Sequence, residues 1–240
     1  LTGIEYCTSL TSLMLDDNEI RDISDLEGLT SLTHLYLNNN RIRDLSALGN
    51  LTSLDTVFLS DNEIRDVSPL SGLTSLKRLY LNNNRIDDIS TLRNLSSLTS
   101  LMLDNNEISD ISGLNNLSSL TSLVLSENHI NDISTLENLS SLTNLMLDNN
   151  EIREVNALSK LTSLKRLFLN NNKINDASAL RNLTSLKQLK LDNNEDGVVS
   201  NSVNLTSQSN PKSGHGCLSF SLFVFLFFMG GIGYVLWPIL

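Results

Sequence analysis

The stretch Leu79-Tyr80-Leu81-Asn82-Asn83-Asn84-Arg85-Ile86 recurs every 22 residues along the chain. Nine copies follow one another without an insertion, and the ninth is degenerate because Asp196 stands where the others have isoleucine. The asparagines that mark the copies are Asn18, Asn40, Asn62, Asn84, Asn106, Asn128, Asn150, Asn172 and Asn194. A fixed period of this length predicts a solenoid, in which each repeat buries its apolar side against its neighbours.

Each repeat contains one short strand and one tight turn element. In the unit from Leu98 to Ser119, Leu101 and Leu103 alternate with other residues, which is the spacing of a strand. The apolar residues that follow come at every third position: Ile108, Ile111, Leu114 and Leu117. This spacing predicts 3₁₀ turns, because the segment is too short for a full α-helix with its loops.

Two polar columns accompany the turns. The marker asparagine of each copy is expected to bond backbone groups that the turn leaves unpaired, and stacked copies are expected to form a ladder. The second column contains Asp22, Asp44, Asp66, Asp88, Asp110, Asp132, Glu154 and Asp176. Each acid precedes a turn, so we interpret it as a local cap. A calcium-binding role is the alternative, although the acids repeat singly.

The pattern Leu-x-x-Leu-x-Leu-x-x-Asn-x-Ile-x-Asp-Ile-Ser-x-Leu-x-x-Leu resembles the 22-residue leucine-rich repeat. The match is closest to the bacterial internalin type, whose convex-side turn resembles residues 66–70 and 110–114. The phosphatase-regulatory leucine-rich repeats of eukaryotes are the second match. The resemblance covers residues 1 to about 196. It implies an α/β solenoid, a curved horseshoe with a parallel sheet on the concave face and 3₁₀ or turn elements on the convex face. It implies little about function, because the family binds many unlike targets.

Composition divides the chain into three parts. Residues 1–197 are the predicted solenoid, which we expect to be truncated at its N-terminus because Leu1 falls in mid-repeat. Residues 198–217 are rich in Ser, Asn and Gly and predict a flexible spacer. Residues 218–240 are apolar and carry no charge, which predicts a transmembrane or anchor segment. A removable signal for attachment of a lipid or wall anchor is the alternative to a permanent span.

Charge and cysteine content exclude several classes of function. Of the 27 acidic and 17 basic residues, only Lys212 lies beyond residue 197, so the solenoid has a net charge of −11 (16 bases against 27 acids). This balance argues against nucleic acid as a partner. Cys7 and Cys217 lie at opposite ends, and Cys7 replaces a leucine of the repeat, so we expect it to be a small buried residue. No metal or other cofactor is expected.

The candidate binding site is the variable column between the two core leucines of each copy. Alternation along a strand places this column outward on the concave sheet. It contains Met14, Tyr36, Phe58, Tyr80, Met102, Val124, Met146, Phe168 and Lys190. An exposed apolar strip of this length usually marks a contact surface. The alternative is that neighbouring rings and thioethers stack along the sheet and stabilise it.

The predicted partner-binding residues come from that column and from the one beside it. From the apolar column they are Tyr36, Phe58, Tyr80, Met102, Met146 and Phe168. From the flanking column they are His34, Arg78 and Arg166, for which a solvated surface role is the alternative. No catalytic residues are predicted, because the three histidines have no nucleophile and orienting acid at a recognisable spacing.

Two further columns have structural or incidental interpretations. One alternates in sign and predicts a ladder of ion pairs along the sheet: Glu19, Arg41, Glu63, Arg85, Glu107, His129, Glu151, Lys173 and Glu195. The other contains Asn-Leu-Ser/Thr triplets, at Asn50, Asn94, Asn116, Asn138, Asn182 and Asn204. These would be glycosylation acceptors in a eukaryotic secretory route, but we attribute them to the repeat consensus.

The sequence thus predicts a non-catalytic module that binds a protein or a glycan through its concave face. It predicts membrane anchoring through residues 218–240 and a cell-surface location. The first alternative is a tail-anchored intracellular scaffold that resembles phosphatase regulators. The second is the binding arm of a larger enzyme or receptor.

Overall fold

A computed structural model describes residues 1–195. The predicted spacer (198–217) and anchor (218–240) lie outside the described residues. Nine strands of three residues form one parallel sheet in sequence order, β1 to β9. Their bounds are Ser12–Met14, His34–Tyr36, Thr56–Phe58, Arg78–Tyr80, Ser100–Met102, Ser122–Val124, Asn144–Met146, Arg166–Phe168 and Gln188–Lys190.

The strand register follows the 22-residue period. Leu79 of β4 pairs with Leu101 of β5, and Tyr80 pairs with Met102. Every other neighbouring pair of strands shows the same offset, so each of the three columns of strand residues is a row across the sheet. The predicted solenoid with a parallel sheet is confirmed.

A short 3₁₀ helix lies in each coil on the side opposite the sheet. These helices, η1 to η9, are Ile4–Tyr6, Ser24–Leu26, Ser46–Leu48, Ser68–Gly72, Ser90–Asn94, Ser112–Leu114, Ser134–Asn138, Asn156–Lys160 and Ser178–Asn182. In seven coils the preceding aspartate caps the helix, as predicted, whereas Glu154 before η8 accepts, within residues 1–195, only from the Asn156 side chain, at 3.4 Å. The backbone N–H of Ser134, for example, donates to Asp132 Oδ1 at 2.8 Å. The same bond recurs in six other coils, from Ser24 to Ser178.

The leucines, isoleucines and valines of successive coils form one continuous core. The middle residue of each inner strand, such as Leu79 or Leu101, is fully buried. The end coils are less covered, because each has only one described neighbour: Leu13 and Leu189 are only half-buried. The same cause makes the prediction for Cys7 wrong. Cys7 lies in the first coil and is exposed.

The predicted asparagine ladder is present and links adjacent coils. Asn62 Nδ2 donates to the carbonyl of Leu37 in the preceding coil at 2.9 Å and to that of Leu59 in its own coil at 3.2 Å. Its Oδ1 accepts from the backbone N–H of Ile42 at 3.0 Å. One buried side chain thereby satisfies backbone groups of two coils that would otherwise lack partners.

The residue before each ladder asparagine adopts a left-handed backbone conformation, with φ between 53° and 57°. Asparagine and aspartate tolerate this region better than other residues with a side chain. They fill eight of the nine positions, and Glu127 is the exception. Within residues 1–195, no helix has both the length and the apolar character that crossing a bilayer requires.

Candidate functional site on the concave sheet

The first and third residues of each strand face away from the core. In β2, Leu35 is fully buried, whereas His34 and Tyr36 on either side of it are half-buried. This alternation follows from the pleat of a strand. Both predicted columns of site residues therefore lie side by side on the concave face of the sheet.

Three aromatic rings form a contiguous stack at one end of the apolar row. Tyr36 and Phe58 are nearly parallel, with ring centroids 4.9 Å apart and an interplanar angle of 13°. Phe58 and Tyr80 are 4.4 Å apart and tilted by 60°. The in-register strand spacing of about 4.8 Å brings the rings to this distance.

Stacking covers part of each ring, so these three residues are less exposed than the sequence predicted. Tyr80 retains only 9% of its surface, and Tyr36 and Phe58 are half-buried. Sequence alternation predicts the direction in which a side chain leaves the strand but not the cover that its neighbours provide. The predicted stacking along the sheet is confirmed for these three rings.

The rest of the apolar row contains fewer aromatic residues. Met102, Val124 and Met146 are half-buried, and Phe168 is half-buried beneath the Lys190 ammonium, which lies 4.6 Å from the ring centroid. Met14, in the first strand, is 69% exposed.

The flanking column brings polar groups beside the apolar row. His34 Nδ1 lies within hydrogen-bond distance of Thr33 Oγ1, at 2.9 Å. Arg78 and Arg166 are exposed, and neither forms an ion pair within residues 1–195. Both guanidinium groups are therefore available to a partner.

Charge is separated across the sheet face, which column-by-column inspection of the sequence missed. The residue before each strand and the first residue of the strand together include five cations, Lys77, Arg78, Lys165, Arg166 and Lys187, and one acid, Asp55. The positions two and three residues beyond each strand carry no lysine or arginine and seven acids: Asp16, Asp17, Asp61, Asp104, Glu127, Asp148 and Asp192. Adding the charges of adjacent columns would have revealed this pattern.

Asp104 has the most perturbed environment on the acidic side. Burial raises the pKa of its carboxyl, and the nearby charges of Glu127 and Asp61 act in the same direction. On the basic side, Lys77 Nζ is 2.6 Å from Asp55 Oδ2, which neutralises the only acid among these cations.

The predicted ladder of alternating charges forms only in part. Arg41 lies 3.4 Å from Glu19, and Lys173 lies 2.8 Å from Glu151. Glu63 instead binds Arg43, which belongs to a different column. The prediction was wrong there because a long arginine side chain one step away reaches the carboxylate as readily as the neighbour in the row.

The asparagines of five Asn-Leu-Ser/Thr triplets, Asn50, Asn94, Asn116, Asn138 and Asn182, are exposed on the coil side that bears the 3₁₀ helices. Asn204 lies outside the described residues. Among residues 1–195, no group of three or more His, Cys, Asp or Glu side chains is arranged to hold a metal ion.

An open parallel sheet with one 3₁₀ turn per coil and an asparagine ladder defines a leucine-rich-repeat solenoid. The profile described as Leucine Rich repeats (2 copies) matches residues 8–50, 52–94, 74–116 and 96–138. The chain therefore belongs to the leucine-rich-repeat family, and its repeats are of the internalin type. No curated protein matches the sequence.

Solved structures with the same fold include two internalins of Listeria monocytogenes. Internalin (inlF) is 37% identical with a TM-score of 0.81, covering 84% of this chain and 60% of its own. Internalin C2 (inlC2) is 36% identical with a TM-score of 0.76, covering 78% of this chain and 83% of its own. The chain thus spans less than two thirds of the first of these relatives.

A more distant match is the leucine-rich-repeat ectodomain of the plant membrane receptor kinase GASSHO1/SCHENGEN3 from Arabidopsis thaliana. Its structure was solved in complex with CASPARIAN STRIP INTEGRITY FACTOR 2. It is 26% identical with a TM-score of 0.72, covering 80% of this chain and 25% of its own. Leucine-rich repeats of this kind are typically modules that bind proteins rather than catalysts.

Proposed function

We propose that this chain is a non-catalytic binding module that holds a protein partner on the concave face of its sheet. The observation that carries the proposal is the row of large apolar side chains from Met14 to Phe168, which projects away from a core already filled by leucine. The buried core cluster contains none of these aromatic rings and methionines. Such residues are enriched where proteins contact one another.

The geometry of the ring stack favours a protein over a glycan. A sugar ring packs best on the open face of an aromatic ring, but Phe58 is flanked by Tyr36 on one side and Tyr80 on the other, at 4.9 and 4.4 Å. Stacking covers both faces of the Phe58 ring, and the row beyond the stack presents the thioethers of Met102 and Met146. Apolar side chains of another protein suit that surface.

Site-specific photocrosslinking tests which face of the solenoid binds. A benzophenone amino acid at position 36 reports on the concave face, and the same residue at position 93, in the exposed part of η5, reports on the opposite face. We expect a discrete protein adduct from position 36 and none from position 93. Adducts from position 93 alone would contradict the proposal.

Substitution of two half-buried side chains of the apolar row provides a second test. The Tyr36→Ser/Met102→Ser variant should lose capture of the crosslinked protein, whereas Arg93→Ser should retain it, with unchanged circular dichroism in both. Tyr80 is unsuitable for this purpose because it is 9% exposed and contributes to packing. Full capture by Tyr36→Ser/Met102→Ser would refute concave-face binding.

We also propose that the solenoid is displayed outside the cell and anchored through residues 218–240. The support is the uncharged apolar composition of that segment, together with similarity to internalins and to a receptor ectodomain. Protease treatment of intact cells should cleave the solenoid, and deletion of 218–240 should release it from the membrane fraction. Protection of the solenoid in intact cells would favour the tail-anchored intracellular scaffold.

A further inference from the structure

We infer that β4 to β8 cradle one amphipathic α-helix of the partner, whose apolar ridge lies along the row from Tyr80 to Phe168. Its acidic side chains face Arg78 and Arg166, and its basic side chains face the acids beyond the other ends of the strands. The inference rests on the proposed use of the concave face and specifies the chemistry of the partner.

Cations mark both ends of this segment of the sheet. Arg78 begins β4 beside Tyr80, and Arg166 occupies the same position in β8 beside Phe168. Both are exposed and without an ion pair in the described chain. Between them the equivalent positions are short: Ser100, Ser122 and Asn144. One guanidinium group therefore lies at each end of a row of short polar side chains.

Acids occupy the opposite edge of the same coils. Asp104 follows β5, Glu127 follows β6 and Asp148 follows β7. Asp148 is engaged at both oxygens, because its Oδ1 accepts from the backbone N–H of Asn170 at 3.1 Å and its Oδ2 accepts from the Ser126 hydroxyl at 3.3 Å. Burial and neighbouring negative charge raise the pKa of Asp104, and a cation from a partner would relieve that repulsion.

The floor between these edges is apolar and adaptable. It consists of Met102, Val124 and Met146, all half-buried, with an aromatic ring at each end. Methionine side chains adjust to irregular partner surfaces at little cost. An apolar ridge of a partner can therefore pack here without a unique set of side chains.

The dimensions of the cradle suit a helix. The acids lie four or five residues beyond the first residue of their strands, about 13 to 17 Å along an extended chain, which accommodates a helix with side chains of about 10–12 Å. Arg78 and Arg166 are four sheet steps apart, about 19 Å, or roughly 13 helical residues. A helix presents a ridge and two flanks at once, whereas an extended segment presents only two alternating faces.

The partner helix must carry both acidic and basic side chains. The chain has a net charge of −10, so a wholly acidic peptide would be repelled overall despite the arginines. A helix with acids on one flank and bases on the other is neutral and complementary to both edges of the cradle.

Two synthetic helical peptides of identical composition test the inference on the full chain. Both have one leucine ridge; the first has glutamates on one flank and lysines on the other, and the second has both residues mixed on each flank. Fluorescence anisotropy at low ionic strength should show at least roughly fivefold tighter binding of the segregated peptide, and salt should reduce the difference. Equal affinities, or no binding of either peptide, would overturn the inference.

Matched variants locate the effect. Arg78→Glu/Arg166→Glu should weaken binding of the segregated peptide about tenfold. Arg65→Glu/Arg153→Glu makes the same charge change with the same four-coil separation, at exposed positions outside the strands, and should leave binding unchanged. If both variants lost affinity equally, the effect would be one of net charge alone, and the proposed helix-binding site would be refuted. The photocrosslinking result at position 36 is independent, so concave-face binding can stand even if the charge pattern proves irrelevant.

Discussion

The side-chain amide of Asn106 donates a hydrogen bond to the backbone carbonyl of Leu81, 25 residues earlier and one coil away, at 3.0 Å. The same amide donates to Leu103 within its own coil at 3.0 Å. Its Oδ1 accepts from the backbone N–H of Ile86 at 3.0 Å. A single side chain therefore holds the turns of two coils in register.

Replacing Asn106 with alanine should lower the free energy of unfolding by about 3 kcal/mol. Three buried backbone groups would lose their partners, at roughly 1–3 kcal/mol for each group left unsatisfied, with partial relief from entering water. Chemical denaturation followed by circular dichroism measures the loss.

The matched control is Asn18→Ala. Asn18 lies in the first described coil, is exposed and donates only to Leu15 and Asp16 in its own coil. Asn18→Ala should lower the free energy of unfolding by less than about 1 kcal/mol. Equal costs at the two positions would show that the bonds between coils contribute nothing extra.

Close backbone packing between coils favours glycine at position 113. A Cβ at Gly113 would lie 2.3 Å from the carbonyl oxygen of Ile89 and 2.9 Å from Cα of Ser90. These are backbone atoms of the preceding coil, which cannot move aside easily. Gly113→Ala should therefore lower the free energy of unfolding by about 1–3 kcal/mol through overpacking. Gly28→Ala is the control, because no atom lies within 4 Å of its added Cβ. Thermal denaturation of both variants tests the difference.

Thr91 offers a stabilising substitution in the same region. Its hydroxyl is buried and has no hydrogen-bond partner among residues 1–195. Thr91→Val removes that unsatisfied group and should raise the free energy of unfolding by about 1 kcal/mol. Thr135→Val, at the equivalent position two coils later, should give a smaller gain. A loss of stability in Thr91→Val would contradict the interpretation that the Thr91 hydroxyl is buried without a hydrogen-bond partner.

Asp104→Asn should stabilise the solenoid at pH 7 by under about 1 kcal/mol. Burial raises the folded-state pKa of Asp104, so its contribution is most favourable below the unfolded pKa, about 3.9, and declines as pH rises through the folded pKa. The gain from asparagine should therefore disappear near pH 3. Urea titrations of both proteins at the two pH values provide the measurement, and a gain independent of pH would exclude this explanation.

The helix-capping aspartates should give the opposite pH dependence. The hydrogen bond from the Ser134 backbone N–H lowers the pKa of Asp132, so its stabilisation is present above the unfolded pKa of about 3.9 and is lost as pH falls through the lower folded pKa. Asp132→Ala should cost about 1 kcal/mol at pH 7 and nearly nothing at pH 2. Asp132→Asn keeps an acceptor and should cost less at pH 7; equal costs for the two substitutions would exclude the cap.

The candidate site was only partly predictable. The direction in which Tyr36 and Arg78 project follows from alternation along the strand, a local property of the chain. The 9% exposure of Tyr80 does not, because it depends on how Phe58 in the neighbouring strand tilts against it. The pairing of Glu63 with Arg43 was also missed, because it is decided by side-chain reach between coils.

By itself, the sequence determined the 22-residue period, the parallel order of the strands, the leucine core and the asparagine ladder. These follow from a repeated local pattern in which every unit must bury the same apolar side and satisfy the same turn. Only the tertiary structure decided how much of each concave residue stays exposed, which charges pair, and how the two charged edges lie relative to the apolar row. Those quantities depend on distances between coils, which side-chain volume and backbone packing set together.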